Sequence, residues 1–162
     1  MRSLILKLLL IAIVTTGCVT QKVRESNATL DRVMNKYRDA CLREVFEGNV
    51  PRFYAPEEAI EKLIISKGGQ TAYFVYAGEF GCTGLPVGAG WCGSRGCIYD
   101  IIVNDKVYEN AGYGRPIVVE AFDELVILQK RSGWMCKANK HMDCVQALVW
   151  DEEEQELSTM GW

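Results

Sequence analysis

The chain has 162 residues, 49% of them hydrophobic and 24% charged, with a formal net charge of −3. That length holds one domain with a core, and the acidic balance argues against nucleic acid, which asks for a basic face. Seven cysteines in so short a chain are the first departure from an ordinary globular composition.

In chain order, the first predicted element is an export signal, MRSLILKLLLIAIVTTGC. Arg2 and Lys7 give a basic start, Leu8 to Val14 a short apolar run, and Thr15 and Gly17 the small residues of a cleavage site. A membrane-crossing helix needs roughly 20 apolar residues, and neither this run nor any later one is that long. The expected organisation is a signal peptide over 1–17, an anchor and tether over 18–27, and a single disulfide-rich domain over 28–162. Cleavage removes Arg2 and Lys7 and leaves 16 basic against 21 acidic residues, net −5. That balance argues against electrostatic docking on anionic lipid as well.

TTGC resembles the lipobox of bacterial lipoproteins, whose cysteine receives a lipid and becomes the new N-terminus. The match covers Thr16, Gly17 and Cys18 and departs at Thr15, where that family usually has leucine. The resemblance implies lipidation of Cys18 and a partner in the lipid bilayer. Val19 after that cysteine, instead of aspartate, fits outer-membrane sorting if the cell is Gram-negative. A soluble periplasmic or secreted protein with a free Cys18 is the alternative.

Residues 28–48 carry Leu30, Val33, Met34, Tyr37, Cys41 and Val45 at helical spacing, with Asn27 as N-cap and Gly48 as stop. A second, shorter helix is expected from Pro56, with Glu57 and Glu58 at its positive end and Ile60, Leu63 and Ile64 on its apolar face. From Thr71 the pattern turns to strands: TAYFVYA, CIYDIIV and KVYEN around Asn104-Asp105, then RPIVVE, DELVILQK and CVQALVW. The segment DEEEQELS reads as a turn and a short edge strand. With no helix long enough for a parallel crossover, the expected class is α+β: two N-terminal helices packed on a mainly antiparallel meander of five to seven strands.

GAGWCGSRGC spells G-x-G-x-x-G at Gly88, Gly90 and Gly93, but a strand follows it where a dinucleotide site needs a helix. The spacing of Cys82, Cys92 and Cys97 lacks the paired knuckles of a zinc site, and no cofactor or metal is expected. A redox pair would be C-x-x-C at a helix start. A disulfide framework is the reading preferred, since setting Cys18 aside leaves six cysteines. The favoured pairing is Cys92–Cys97 as a staple on a turn where Gly93 and Gly96 take positive φ, Cys136–Cys144 across a polar loop, and Cys41–Cys82 tying the first helix to the sheet. In the chain-entropy model these stabilise by about 2, 2.6 and 4 kcal/mol respectively. Fifteen pairings of six cysteines are possible, and sequence alone does not choose among them.

EFGC, WCGSRGC before a strand, SGWMC and C-x-x-x-L-x-W-D resemble a group of uncharacterised secreted or lipid-anchored proteobacterial proteins. Cys92, Gly93, Gly96 and Cys97 match its CG-x-x-GC turn, and Cys136, Cys144, Trp150 and Asp151 its later cysteine pair and aromatic-Asp strand end. The resemblance covers about residues 71 to 160 and implies a scaffold, without an activity.

His141 is the one histidine. A Ser–His–Asp set from Ser94 or Ser132 with His141 and Asp143 has no G-x-S-x-G elbow beside it. The acidic run Asp151 to Glu154 lacks the pattern of a calcium loop. Trp91, Tyr99, Tyr108, Tyr113 and Trp134 fall in or beside the stapled loops, where aromatics serve either recognition or the core. The expected function is an exported envelope lipoprotein acting as a non-enzymatic binding module for an envelope protein or glycan, for example inhibiting an exported lysozyme or protease. Its candidate contacts are Trp91, Arg95, Tyr113, Arg115 and Trp134. The alternatives are a small cell-wall hydrolase using His141 and Asp143, and a structural lipoprotein without a specific ligand.

Overall fold

The computed structural model describes residues 27–43, 52–121, 123–133 and 143–160. Helix α1 (Ala28–Arg43) opens this part of the chain. Asn27 caps it: its Oδ1 accepts the backbone N–H groups of Thr29 and Leu30, both at 3.0 Å. Leu30, Val33, Tyr37 and Cys41 form its buried stripe.

The second expected helix does not form. Pro56 leads into a single 3₁₀ turn, Glu57–Ala59, and the chain then extends as strand β2 (Ile60–Ile64). Ile60, Leu63 and Ile64 suit a short helix face, yet over five residues that spacing also suits a strand. Pairing decides between them. β2 runs antiparallel to β3 (Thr71–Tyr76), from Ile60↔Val75 to Ile64↔Thr71, closed by a turn in which Ile65 N–H donates to Gln70 O at 2.8 Å. A ladder of this kind outcompetes a helix too short to nucleate.

A single meander is not observed either; the strands divide into three sheets. β1 (Phe53–Tyr54) pairs with β4 (Gly81–Cys82). The central sheet runs β2–β3–β6, where β6 is Gly96–Val103, with β5 (Cys92–Gly93) and β7 (Lys106–Gly112) also paired to β6. The outer sheet runs β11–β10–β9–β8, comprising β8 (Ile117–Ala121), β9 (Glu124–Arg131), β10 (Cys144–Asp151) and β11 (Glu156–Thr159). The fold is therefore mostly β, with one helix on one face of the central sheet and the outer sheet on the other. Among the described residues, no helix is long and apolar enough to cross a membrane.

β6 divides the core. Ile98 and Ile102 join the helix-side cluster with Leu30, Val33, Tyr37, Val75, Phe80 and Trp91. Tyr99, Ile101 and Val103 alternate with them and join Phe74, Ile127, Leu148, Trp150 and Leu157 between the sheets. The two sheets also touch through polar groups. Tyr113 N–H donates to Lys130 O at 2.9 Å, Arg131 Nε to Ala111 O at 3.2 Å, and Leu157 N–H to the Tyr108 hydroxyl oxygen at 3.1 Å.

A fully buried carboxyl group sits inside this frame. Asp100 is 0% exposed, its Oδ2 accepts the Tyr37 hydroxyl at 2.7 Å, and its Oδ1 has no hydrogen-bond partner among the described residues. Burial pushes its carboxyl above the ordinary 3.8; the Tyr37 hydrogen bond and Lys36 pull it back, and Glu109 adds to the rise. The folded state therefore holds this proton more tightly than the unfolded chain. The stability it contributes is full below the unfolded value and is lost as pH rises through the folded one. Asp100→Asn keeps an acceptor for Tyr37 and removes the charge. We expect the variant to exceed the native protein at pH 7 by about 1–3 kcal/mol, with the gap closing toward pH 3.5. Urea unfolding of the oxidised proteins across that range measures it, and a gap independent of pH would refute the assignment.

Candidate functional site

Residues 77–97 build a shaped surface against the end of α1. Ala77–Glu79 form a 3₁₀ turn, Phe80 enters the core, and Cys82 bonds to Cys41 in the last turn of α1, with Cα atoms 5.6 Å apart. The expected Cys41–Cys82 pairing is thus present, tying the helix to the small β1–β4 sheet. The loop that follows is held by its own backbone: Leu85 N–H donates to Cys82 O, Gly88 N–H to Phe80 O, and Trp91 and Cys92 N–H both to Gly88 O, at 2.8–3.0 Å. Gly88 has φ +77°, and a Cβ there would lie 2.8 Å from Cys92 Sγ and 2.9 Å from Gly78 O.

Trp91 closes this loop onto the core. Its ring meets Tyr37, Phe53 and Phe80 edge-on, with centroids 6.2, 6.2 and 5.9 Å away. Between the loop and the helix end lies a cavity of about 270 Å³, lined by Ala40, the Cys41–Cys82 bridge, Leu85, Ala89, Gly90 and Trp91. Among the described residues, each side chain in this lining is apolar, the indole N–H of Trp91 aside, or part of the disulfide, and backbone groups supply its polar part. Leu42, beside Cys41, and Val87, between Leu85 and Ala89, are 45% and 68% exposed. The side chains of such a surface accept apolar groups.

Next comes the stapled hairpin. Cys92 and Cys97 are bonded, facing each other across the β5–β6 ladder, with Gly93 opposite Gly96 and Ser94-Arg95 at the tip. Strand β6 follows at once, so the Gly88, Gly90 and Gly93 pattern leads to no helix that could receive a pyrophosphate. Tyr113 O–H donates to Ser94 O at 2.7 Å, and the Lys130 ammonium stands 5.8 Å from the Tyr113 ring. Arg115 grips Glu79 with Nε and Nη2 at 3.2 and 2.7 Å and lies 3.9 Å from Glu61. The Glu79 hydrogen bond raises the Arg115 pKa.

Of the contacts expected from sequence, Arg95 is exposed at the tip and Tyr113 is half-buried with its hydroxyl committed to the hairpin. Trp91 is not a surface contact: at 8% exposure it belongs to the core. Arg115 spends its charge on Glu79. Tyr99 is fully buried between the sheets, its hydroxyl pushed up to about 12 by that burial, and Tyr108 anchors β11. Cys18, Trp134, Cys136 and His141 lie outside the described residues. Cys144 is disulfide-bonded, and its expected partner Cys136 is among those outside. Asp143, the expected partner of His141, pairs with Lys130 at 2.8 Å. Of the two serines weighed for a triad, Ser94 is exposed and Ser132 buried. Among the described residues no three His, Cys, Asp or Glu side chains gather to hold a metal ion.

The apolar pocket went unread in the sequence. Its one signal is Leu85-Pro86-Val87, three apolar residues in a glycine-rich loop just past a cysteine. Gly96 and Gly93, both expected to take positive φ, also separate. Gly96 has φ +95°, and a Cβ on it would fall 2.2 Å from Gly112 O, whereas Gly93 stays out of that region with nothing within 4 Å. Gly96→Ala should therefore cost more than about 2 kcal/mol, and Gly93→Ala should lie within about 0.5 kcal/mol of the parent. Denaturant midpoints of the two oxidised variants compare them directly; equal midpoints would mean the hairpin is built otherwise.

The chain matches no family model, and no curated protein or solved structure is similar to it.

Proposed function

We propose that this chain is an exported, non-enzymatic binding module that takes up an apolar side chain of another exported protein in the pocket over the Cys41–Cys82 bridge. The observation carrying this reading is the pocket itself: about 270 Å³, lined by apolar side chains and the disulfide, with Val87, in the same loop between lining residues Leu85 and Ala89, 68% exposed. An exposed aliphatic side chain on a loop held by backbone hydrogen bonds and flanked by two disulfides loses little freedom on binding. Arg95, exposed on the stapled tip that follows the same loop, supplies a polar contact at the rim of the interface. Trp91 supports the pocket from behind and stays in the core.

The cellular setting agrees with this reading. The disulfides belong to an oxidising compartment, and the signal over residues 1–17 supplies a route there. Attachment of lipid at Cys18 would hold the module at a membrane face by its tether, in keeping with the resemblance to lipid-anchored proteobacterial proteins.

Crosslinking in intact envelopes and recovery of the module test the proposal. Val87→Asp alters a side chain in solvent and should leave the thermal unfolding curve in place. It should weaken capture of the crosslinked partner about 10- to 100-fold, and Arg95→Ala should weaken it less. Capture unchanged by Val87→Asp would overturn the site. A Trp91→Ala variant would test only folding.

A further inference from the structure

The two disulfides whose partners are both described differ in what a thiol can reach. Cys41 and Cys82 are 1% and 4% exposed, inside the helix-side core. Cys92 is exposed and Cys97 half-buried, facing each other across a ladder only two residue pairs long, with Gly93, Ser94 and Arg95 in solvent beyond them. Thiol–disulfide exchange requires a thiolate to reach a sulfur, so a reductant meets the hairpin bond first. That bond joins cysteines 5 residues apart, against 41 for the other. It therefore constrains the unfolded chain less, and breaking it leaves the fold its longer tie.

The two ends of the hairpin bond are held unequally. On the Cys97 side, β6 is paired with β7 from Cys97 to Val103 and with β3 from Tyr99 to Ile102. Gly96 is pressed against the same neighbour, since a Cβ on it would fall 2.2 Å from Gly112 O. On the Cys92 side, β5 is two residues long and follows directly on the pocket loop, whose Trp91 lines the cavity. The Cys92 sulfur packs on Gly88, where a Cβ would stand 2.8 Å from it. Gly88 is a junction of that loop: its N–H donates to Phe80 O, and its carbonyl oxygen accepts the N–H groups of Trp91 and Cys92. Freedom gained when the bond opens therefore passes to residues 83–91, while β6 stays in its sheet.

We propose that the Cys92–Cys97 bond is a redox-controlled catch on the pocket loop, opened by a dithiol reductant, and that opening it lowers affinity at the pocket. The inference rests on the binding role proposed above for that pocket. One thiolate of the dithiol attacks the Cys92 sulfur and breaks its bond to Cys97, which leaves as a thiolate and takes up a proton. The second thiol of the reductant then attacks the mixed disulfide and releases Cys92 as a thiol. Two electrons pass from the dithiol, which ends as a disulfide, to the cysteine pair, which ends as two thiols. Cys41–Cys82 stays closed, so the helix remains tied while the loop wall of the pocket loosens.

Titration with dithiothreitol tests this on the folded full chain, expressed for export with Cys18→Ser to remove that thiol from exchange. Alkylation and peptide mass at each step show which pair has opened, and hydrogen exchange at the same steps reads the loop. Cys92–Cys97 should open at about tenfold less dithiothreitol than Cys41–Cys82, or lower still. In the opened form the Gly88, Trp91 and Cys92 amides should exchange about tenfold faster or more, while those of β6 keep their protection. In intact envelopes, Cys92→Ser with Cys97→Ser should capture about tenfold less crosslinked partner. Bonds that open together, or loop protection that survives opening, would overturn the catch. Capture unchanged in the double serine variant, where Val87→Asp still weakens it, would overturn its control of the pocket. Capture indifferent to Val87→Asp would fault the pocket reading instead, and exchange in the loop would then decide the catch alone.

Discussion

Strand β6 is buried on both of its faces, and what each face demands sets the rest of the molecule. Its odd-numbered residues Tyr99, Ile101 and Val103 are each no more than 1% exposed and need a second sheet over them. Ile98 and Ile102 need the helix. Neither layer would hold alone: a helix of 16 residues is marginal in water without packing, and a sheet needs its apolar face covered. Asp100, in the same strand and facing the helix, is the exception that fixes the docking. Among the described residues its carboxyl group has a single donor, the Tyr37 hydroxyl, so the helix must sit where that hydroxyl can reach. A buried acid is a costly device, and here it selects one seating of α1 among those that greasy contacts alone would allow.

The two fully described disulfides do different work. Cys92–Cys97 closes a short hairpin and contributes about 2 kcal/mol in the chain-entropy model, and it holds the loop against which Gly88 and Trp91 are placed. Cys41–Cys82 spans 41 residues, and in the chain-entropy model such a bridge contributes about 4 kcal/mol. It joins the end of α1 to β4, the point where helix, small sheet and loop would otherwise meet through few contacts. Rigidity of the 83–91 loop is thus imposed from both ends.

Much of this frame was legible in the sequence because its signals are local. Asn27 marks a helix start by its side-chain chemistry, Asn104 takes a φ of 53° in the two-residue turn between β6 and β7, and the CG-x-x-GC spacing prefigures a stapled turn. What failed depended on distant partners. Ile60, Leu63 and Ile64 carry a spacing that serves two structures, and only pairing with β3 chooses the strand. The division into separate sheets turns on the 113–116 link, whose direction no residue type encodes. Trp91 read as a surface aromatic because it stands in a glycine-rich loop. Its burial is set by Tyr37, Phe53 and Phe80, which are remote in sequence and close only after folding. The pocket went unread for the same reason: glycines drew attention to the tip, while the pocket is made by Ala40 and Cys41 of the helix meeting residues 82–91 across the disulfide.

That meeting has a consequence for where the site can exist. The Cys41–Cys82 bridge is at once the covalent tie between helix and loop and part of the pocket's lining. In a reducing compartment the tie would be lost, the loop would regain its freedom, and the pocket would lose both its shape and one of its apolar surfaces. Val87 would then be an exposed aliphatic side chain on a mobile loop, with no preorganised neighbour to share a ligand. Oxidation is therefore a condition of the pocket as well as of the fold, and it ties the proposed binding role to the compartment in which disulfides persist.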